Sequence, residues 1–238
     1  MIKVALFGAG RMGDAIAQKI SATSDITLHE LFERNDSGSV GKLRNGSMVL
    51  PERSAENSNA DIFVDFTEPI SAMQHFRLAA QLHLPIVVGT TGLSKNQLEE
   101  VRESSVHIPC LFAPNLSLGV NLLYDIVAQA ASSLPPEYDI EIVEQHHRLK
   151  IDKPSGTALQ LARVIGSARG TPPEIHALRG GEVVGTHTII FSGPGERLEF
   201  THEAFSRSAF ATGVLQAVRF LVNREPGLYF VGDALGLR

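Results

Sequence analysis

The chain has 238 residues, 43% of them hydrophobic and 20% charged, with 21 Lys and Arg against 26 Asp and Glu for a net charge of −5. These proportions are globular rather than disordered, and the acidic balance argues against a dedicated nucleic-acid binder, whose affinity rests on neutralising phosphates. No apolar run reaches the roughly 18 residues that span a bilayer, and the short apolar start MIKVALF lacks the flanks of a secretory signal. A single cysteine, Cys110, excludes an internal disulfide framework and fits a reducing, cytoplasmic compartment. Its apolar neighbours make it a packed thiol rather than a nucleophile.

From residue 1 to about 116, short β-branched runs alternate with helical patterns. Ile2–Phe7 is a continuous apolar run, as in a strand buried on both faces. A helix over 13–22 would place Ile16, Ala17 and Ile20 on one face. Strands are expected at 27–32, 61–66, 85–88 and 106–112, with helices near 71–82 and 94–104. Residues 35–60 are polar and rich in Gly, Ser and Asn, with one short strand near 47–50. The alternation predicts an α/β fold with a doubly wound parallel sheet of the Rossmann type.

After Asn115 the pattern changes. A helix over 118–131 is followed by period-two alternation over 138–145 and a helix starting at Ser155. Strands are expected at 174–178, 186–191 and 197–201, then a helix over 209–221. Strands separated mainly by turns suggest a mixed or antiparallel sheet with one open face. The expected organisation is a dinucleotide-binding domain of residues 1–116 and 208–238, and a second α+β domain of residues 117–207.

Gly8, Gly10 and Gly13 form G-x-G-x-x-G between the first strand and the first helix. The first glycine permits a tight turn, the second lets backbone approach a pyrophosphate, and the third allows close helix–strand packing at an anion-binding helix N-terminus. Glu33 ends the next strand about 20 residues beyond Gly13, where a carboxylate can accept from ribose hydroxyls. Arg34 beside it could pair with a 2′-phosphate, so the two together suggest use of both NAD and NADP. Asp65-Phe66-Thr67, the turn Gly89-Thr90-Thr91-Gly92, and Ala113-Pro114-Asn115 also end strands, which in a parallel sheet puts them on the same ligand-bearing edge.

The densest chemistry is EQHHRLKIDKPSGTA at 144–158. His146, His147, Arg148, Lys150, Asp152 and Lys153 fall within eight residues. In an extended segment His146, Arg148 and Lys150 share one side, with His147 on the other. A histidine depressed by nearby cations can donate a proton, and the cations suit an anionic substrate. Ser155 fits a helix N-cap, leaving the amides of Gly156 and Thr157 and the Thr157 hydroxyl as a carboxylate cradle. A metal site is disfavoured because adjacent histidines point apart. G-x-S-x-G and the P-loop spacing are both absent. The remaining histidines, His29, His75, His83, His107, His176, His187 and His202, are scattered, and structural or surface roles suit them better.

GAGRMG, the pair Glu33 and Arg34, VDFT at 64–67, VVGTTG at 87–92, APN at 113–115 and E-x-H-H-R-x-K-x-D-x-P-S-G-T-A at 144–158 together resemble the 4-hydroxy-tetrahydrodipicolinate (dihydrodipicolinate) reductase family nearly end to end. The resemblance implies reduction of a cyclic unsaturated dicarboxylate by NADH or NADPH, with loss of water, in the diaminopimelate–lysine pathway. It implies His146 and Lys150 as the acid–base pair, and His147, Lys150, Ser155, Gly156, Thr157 and Arg207 as substrate-binding residues. Gly8, Ala9, Gly10, Arg11, Met12, Gly13, Glu33, Arg34, Phe66, Thr67, Gly89, Thr90, Thr91, Ala113, Pro114, Asn115 and Leu116 would contact the dinucleotide. No metal is implied, and the family is usually a cytoplasmic homotetramer assembled through sheets of the second domain. The chain departs from the usual family loop in having Phe7 where the first glycine of G-x-x-G-x-x-G aligns, and residues 35–60 are compact. Two rival readings are another Rossmann amino-acid or sugar dehydrogenase and a non-catalytic NAD(H) sensor, against which the cluster at 144–158 argues.

Overall fold

The computed structural model describes residues 1–237. In chain order its elements are β1 (Ile2–Phe7), α1 (Arg11–Ser21), β2 (Ile26–Glu33), β3 (Leu43–Arg44), β4 (Ser47–Pro51), a 3-10 turn (Glu52–Asn57), β5 (Ile62–Asp65), α2 (Pro69–Leu82), β6 (Ile86–Val88), α3 (Lys95–Ser104) and β7 (Pro109–Phe112). They continue with α4 (Leu118–Ser133), β8 (Asp139–His146), α5 (Gly156–Arg169), β9 (Glu174–Arg179), β10 (Gly185–Gly193), β11 (Glu196–Ala204), α6 (Ser208–Leu221), β12 (Gly227–Tyr229) and α7 (Val231–Ala234). The chain divides into two compact units, Met1–Leu116 with Phe210–Gly236, and Ser117–Ala209 with Leu237.

The first unit holds an eight-stranded sheet in the order β12-β7-β6-β5-β1-β2-β4-β3. Every pairing is parallel except β3 with β4. β1 is central and lies between β2 and β5, so the strand order reverses there and the loops after β1, β5 and β6 share one edge. The continuous apolar run of β1 is explained by helices on both faces: Val4 to Phe7 are fully buried. α1 buries Gly13, Ile16, Ala17 and Ile20 at helical spacing. α3 starts with a capping box, the Ser94 hydroxyl accepting from the Gln97 amide while the Gln97 side chain accepts from the Ser94 amide.

Three expectations need correction. Residues 106–108 form a turn rather than strand: Val106 is 64% exposed, and the strand begins only at Pro109, which pairs with Gly227 of β12, the pairing with β6 starting at Cys110. The helix after the glycine loop begins at Arg11, because Gly10 already takes the extended N-cap conformation. The weak segment 35–60 contains a hairpin, β3 and β4, whose Arg44 grips Asp14 of α1 through Nε at 2.7 Å and Nη2 at 2.6 Å. That ion pair holds the Asp14 carboxyl below its usual range.

The second unit holds a mixed sheet in the order β11-β10-β8-β9, with β10 antiparallel to both neighbours and β8 parallel to β9. The helix-facing side reads in rows: Ile140, Phe191 and Leu198, then Ile142, Ile189, Phe200 and Ile175, then Glu144, His187, His202 and Ala177. α5 packs there through Ala158, Leu161, Ala162 and Ile165, and α4 through Leu123, Val127 and Ala131. Alternate residues along β8 thus run Ile140, Ile142, Glu144, His146, and the apolar core passes directly into buried polar groups on one face.

Candidate active site

Two sets of residues carry chemistry, one in each unit. In the first, each glycine of the loop has its own reason. Gly8 has φ +101°, and a Cβ there would lie 2.6 Å from the Phe66 carbonyl. A Cβ on Gly13 would lie 2.0 Å from the Gly8 carbonyl, so only glycine lets α1 approach β1. Gly10 meets nothing within 4 Å, is exposed, and caps a helix whose first amides have no side-chain cap. Open space over uncapped amides fits an incoming pyrophosphate. Ala9 is buried and offers its main chain; its amide donates to Glu33 Oε2 at 3.0 Å, and the Arg34 amide donates to Oε1 at 3.1 Å. Arg11 and Arg34 are exposed and Met12 is half-buried. The loop, the free helix end and the carboxylate together fit a dinucleotide.

The other strand ends hang on Asp65, which is fully buried. Its carboxylate accepts from Thr90 Oγ1 at 2.5 Å, from Thr67 Oγ1 at 3.0 and 3.1 Å, and from the Thr67 amide at 3.2 Å. His75 Nδ1 lies 2.6 Å from Asp65, and His75 Nε2 lies 3.4 Å from Glu52. Phe7, which departs from the family glycine, stacks on His75 with centroids 4.0 Å apart and fills the core beside Phe32 and Phe63. Phe66 covers Gly89, where a Cβ would lie 2.3 Å from its ring. Thr91 and Pro114 are exposed and Asn115 is half-buried, whereas Ala113 and Leu116 are buried and present main chain only.

Burial pushes the His75 pKa down, but the hydrogen bond to Asp65 and the attraction of the Glu52 carboxylate outweigh it and the net shift is upward. A raised folded-state pKa stabilises fully below the unfolded value, about 6.5, and the contribution fades as pH rises through the folded value. The difference in urea-unfolding free energy between the protein and His75→Asn is therefore expected to be larger at pH 6 than at pH 9. Equal differences at both pH values would refute the charged state of His75.

In the second unit β8 ends at His146 and the chain turns, the Lys150 amide donating to the His147 carbonyl at 3.1 Å. This corrects the expectation of an extended 146–150 segment: the amides of Arg148 and Gly180 bond across to the Gly181 and His146 carbonyls, which bends the chain at the strand end. His146 is buried, His147 and Lys150 are half-buried, and Arg148 is exposed. His146 Nδ1 lies 2.5 Å from Glu144 Oε2. Burial is the main cause of a lowered His146 pKa, with Lys150 and Arg179 adding to it and Glu144 opposing. The Glu144 carboxyl is held low because bonds from Arg179, His146 and the Ser155 amide overcome its burial.

Ser155 caps α5, its hydroxyl accepting from the Ala158 amide at 3.2 Å and lying 3.1 Å from His187 Nε2. That hydroxyl is buried and committed within the protein, so Ser155 shapes the helix end and its side chain is not presented to a substrate. The Thr157 hydroxyl is also engaged, bonding Tyr124, whose phenol burial pushes up to about 12. The cradle already meets a carboxylate from the chain itself. Asp152 lies 2.7 Å from Lys150 Nζ and accepts from the Gly156 amide, bonds that hold its pKa low despite burial. Arg207 is exposed in the turn between β11 and α6.

The sequence reading left out His75, Arg179 and His187 as site-building residues. For Arg179 and His187 the signal was parity: Glu144 and His146 share the face of Ile140 and Ile142, so partners on β9 and β10 had to meet buried charge, whereas His75 on α2 carried no such pattern.

The dihydrodipicolinate reductase N-terminal family model matches residues 2–116 and the C-terminal model matches residues 119–235. The chain belongs to the dihydrodipicolinate reductase family. It is an NAD(P)H-dependent oxidoreductase of diaminopimelate and lysine biosynthesis. A 4-hydroxy-tetrahydrodipicolinate reductase of Pseudoalteromonas atlantica is 39% identical over 266 aligned positions, covering 100% of both chains. That of Nitrosomonas europaea is 38% identical over 265, covering 100% of this chain and 99% of the relative. Both alignments exceed the 238 residues of this chain, which is compact for the family. A dipicolinate-bound dihydrodipicolinate reductase of Paenisporosarcina sp. TG-14 superposes with TM-score 0.81 at 26% identity over 97% of each chain. Membership explains why the glycine loop and the 144–158 cluster occur in one chain. Among the described residues, no helix is long and apolar enough to cross a membrane.

Proposed function

We propose that this reductase converts 4-hydroxy-tetrahydrodipicolinate to tetrahydrodipicolinate, with His146 and Lys150 as the acid–base pair. The observation that carries the assignment is the meeting of a buried, carboxylate-oriented imidazole with a lysine and a helix-terminal amide that already hold a carboxylate. The reduced nicotinamide supplies the hydride. The balance takes up one hydride and one proton and releases one water. His147, Lys150, Gly156 and Thr157 hold the substrate carboxylates, with Arg207 as a further contact. His146 holds the proton for the reacting atom on Nε2. A bound dicarboxylate favours the imidazolium and offsets the depression that burial imposes on His146 in the free protein.

Residues 1–116 with 208–238 serve as the nucleotide-binding domain and residues 117–207 as the substrate-binding and oligomerisation domain; the first unit supports this division, although Ser208, Ala209 and Leu237 group with the second unit and Arg238 lies outside the described residues. Gly8 to Gly13, Glu33, Arg34, Phe66, Thr67, Gly89 to Thr91 and Ala113 to Leu116 bind NADH or NADPH. Arg34 is exposed, with Asp36 4.0 Å away, and so is available to a 2′-phosphate. Arg34→Ala is expected to raise the KM for NADPH while leaving that for NADH nearly unchanged. The assay follows nicotinamide oxidation with substrate formed in situ from pyruvate and aspartate semialdehyde. No oxidation with either nucleotide, while nucleotide binding persists, would sink the substrate assignment.

We also propose a cytoplasmic homotetramer assembled through the open face of the second sheet. Support comes from Val143, Thr188 and Ile190, half-buried on the face opposite the helices. Light scattering coupled to gel filtration is expected to give four times the chain mass. A monomer at micromolar concentration would overturn the assembly.

A further inference from the structure

We propose that Glu144 and Arg179 form a buried positioning pair that fixes which nitrogen of His146 carries the proton. This rests on His146 as the proton donor, but the arrangement itself is a matter of hydrogen bonds. Glu144 is fully buried and accepts four contacts: His146 Nδ1 at 2.5 Å, Arg179 Nη1 at 2.9 Å, Arg179 Nη2 at 2.8 Å and the Ser155 amide at 3.1 Å. An ionised carboxylate only accepts, so the proton between Glu144 and His146 belongs to Nδ1. Nε2 is then the nitrogen left to exchange protons. It faces Gly185, where a Cβ would lie 2.9 Å away, so a side chain at that position would press on the transferring atom.

Arg179 does two things. It neutralises Glu144, so that the carboxylate orients the imidazole without trapping a proton on it. It also donates to the Leu178 carbonyl at 2.6 Å and the Asp152 carbonyl at 2.5 Å, which ties the loop carrying His147 and Lys150 back to the sheet. The titratable and charged groups facing His146 are Glu144 from β8, Arg179 from β9, His187 from β10 and Lys150 from the loop. His187 is buried and its pKa falls to about 3, so it stays neutral across the working range and adds no charge.

The two members of the pair must act on His146 in opposite directions, and a purely structural pair would not. Glu144→Gln leaves His146 facing only cations, so the alkaline limb of the kcat/KM–pH profile moves to lower pH. Arg179→Gln leaves Glu144 without its neutralising partner, so that limb moves to higher pH. In Glu144→Gln, kcat is expected to fall by about two orders of magnitude, the scale of misplacing a general acid, with a much smaller change in substrate KM. Long-range ¹H–¹⁵N spectra of the full-length, ligand-free protein read the tautomer directly. The expected result is a protonated Nδ1 and a bare Nε2 on His146 in the parent, with the bare-nitrogen signal moving toward Nδ1 in Glu144→Gln.

Limbs that move the same way in both variants, or nitrogen shifts unchanged in a folded Glu144→Gln, would overturn the proposal. Should Glu144→Gln fail to fold by circular dichroism, Glu144→Asp and Arg179→Gln carry the test. The aspartate must restore the parent tautomer, and the glutamine must still raise the limb. The spectra do not depend on catalysis: a fully active His146→Gln would remove the proton-donor reading and leave the tautomer result standing.

Discussion

His146→Gln is expected to lower kcat by about 10²–10⁴-fold, the range spanned by loss of a positioned general acid. Lys150→Ala should lower it comparably and also raise the substrate KM, because Lys150 already holds a carboxylate at 2.7 Å. Both residues lie in the second unit, while the glycine loop and Glu33 belong to the first. Nucleotide affinity, read by fluorescence titration, should therefore stay near the parent value in both variants. If affinity and kcat fell in proportion, the assigned roles would be wrong and the lesion would be one of folding. The pH profile adds a sign. The proton donor must be protonated, so kcat/KM should fall as pH rises through the His146 pKa, and that limb should vanish in His146→Gln.

The second large effect concerns the glycine loop, where two chemically identical substitutions should have different consequences. In Gly13→Ala the new methyl would lie 2.0 Å from the Gly8 carbonyl, a main-chain atom that cannot swing aside. Either α1 is pushed off β1 or the turn at Gly8 opens. Overpacking of this kind costs about 1–3 kcal/mol and sometimes more, so the melting temperature should drop clearly and nucleotide binding should be lost. In Gly10→Ala the methyl meets nothing within 4 Å and the backbone φ of −85° suits any residue. That variant should melt like the parent and still bind nucleotide weakly, because the methyl occupies the approach to the helix amides. Differential scanning calorimetry with and without NADH separates the two. A Gly10→Ala protein with parental affinity would show that the pyrophosphate does not lie over this loop.

What could be read from residue order follows from local rules. The strand–helix alternation, the glycine loop and its carboxylate at Glu33, and the cap at Ser155 all depend on a few neighbouring residues. So does the density of charge at 144–158. The ends of elements were less legible. Val106 has the β-branched character of a strand residue, yet it lies beyond the reach of the β6 ladder and is exposed. β12 has three residues, too few for any period, and exists because Gly227, Leu228 and Tyr229 find β7 at the sheet edge.

The sequence by itself determined the fold class, the nucleotide loop and the family, because each is written in contiguous residues whose spacing has a mechanical meaning. Only the tertiary structure decided how the reactive groups are held. Asp65 gathers Thr67, Thr90 and His75 from three separate segments, and Glu144 gathers His146, Ser155 and Arg179 from across the sheet and a helix end. Thr67 and His146 lie two residues from their carboxylates, but the other partners are 10–35 residues away in the chain. A buried carboxylate must be satisfied by whatever donors strand pairing brings to its face, and that pairing is settled by the packing of the whole sheet rather than by any local pattern.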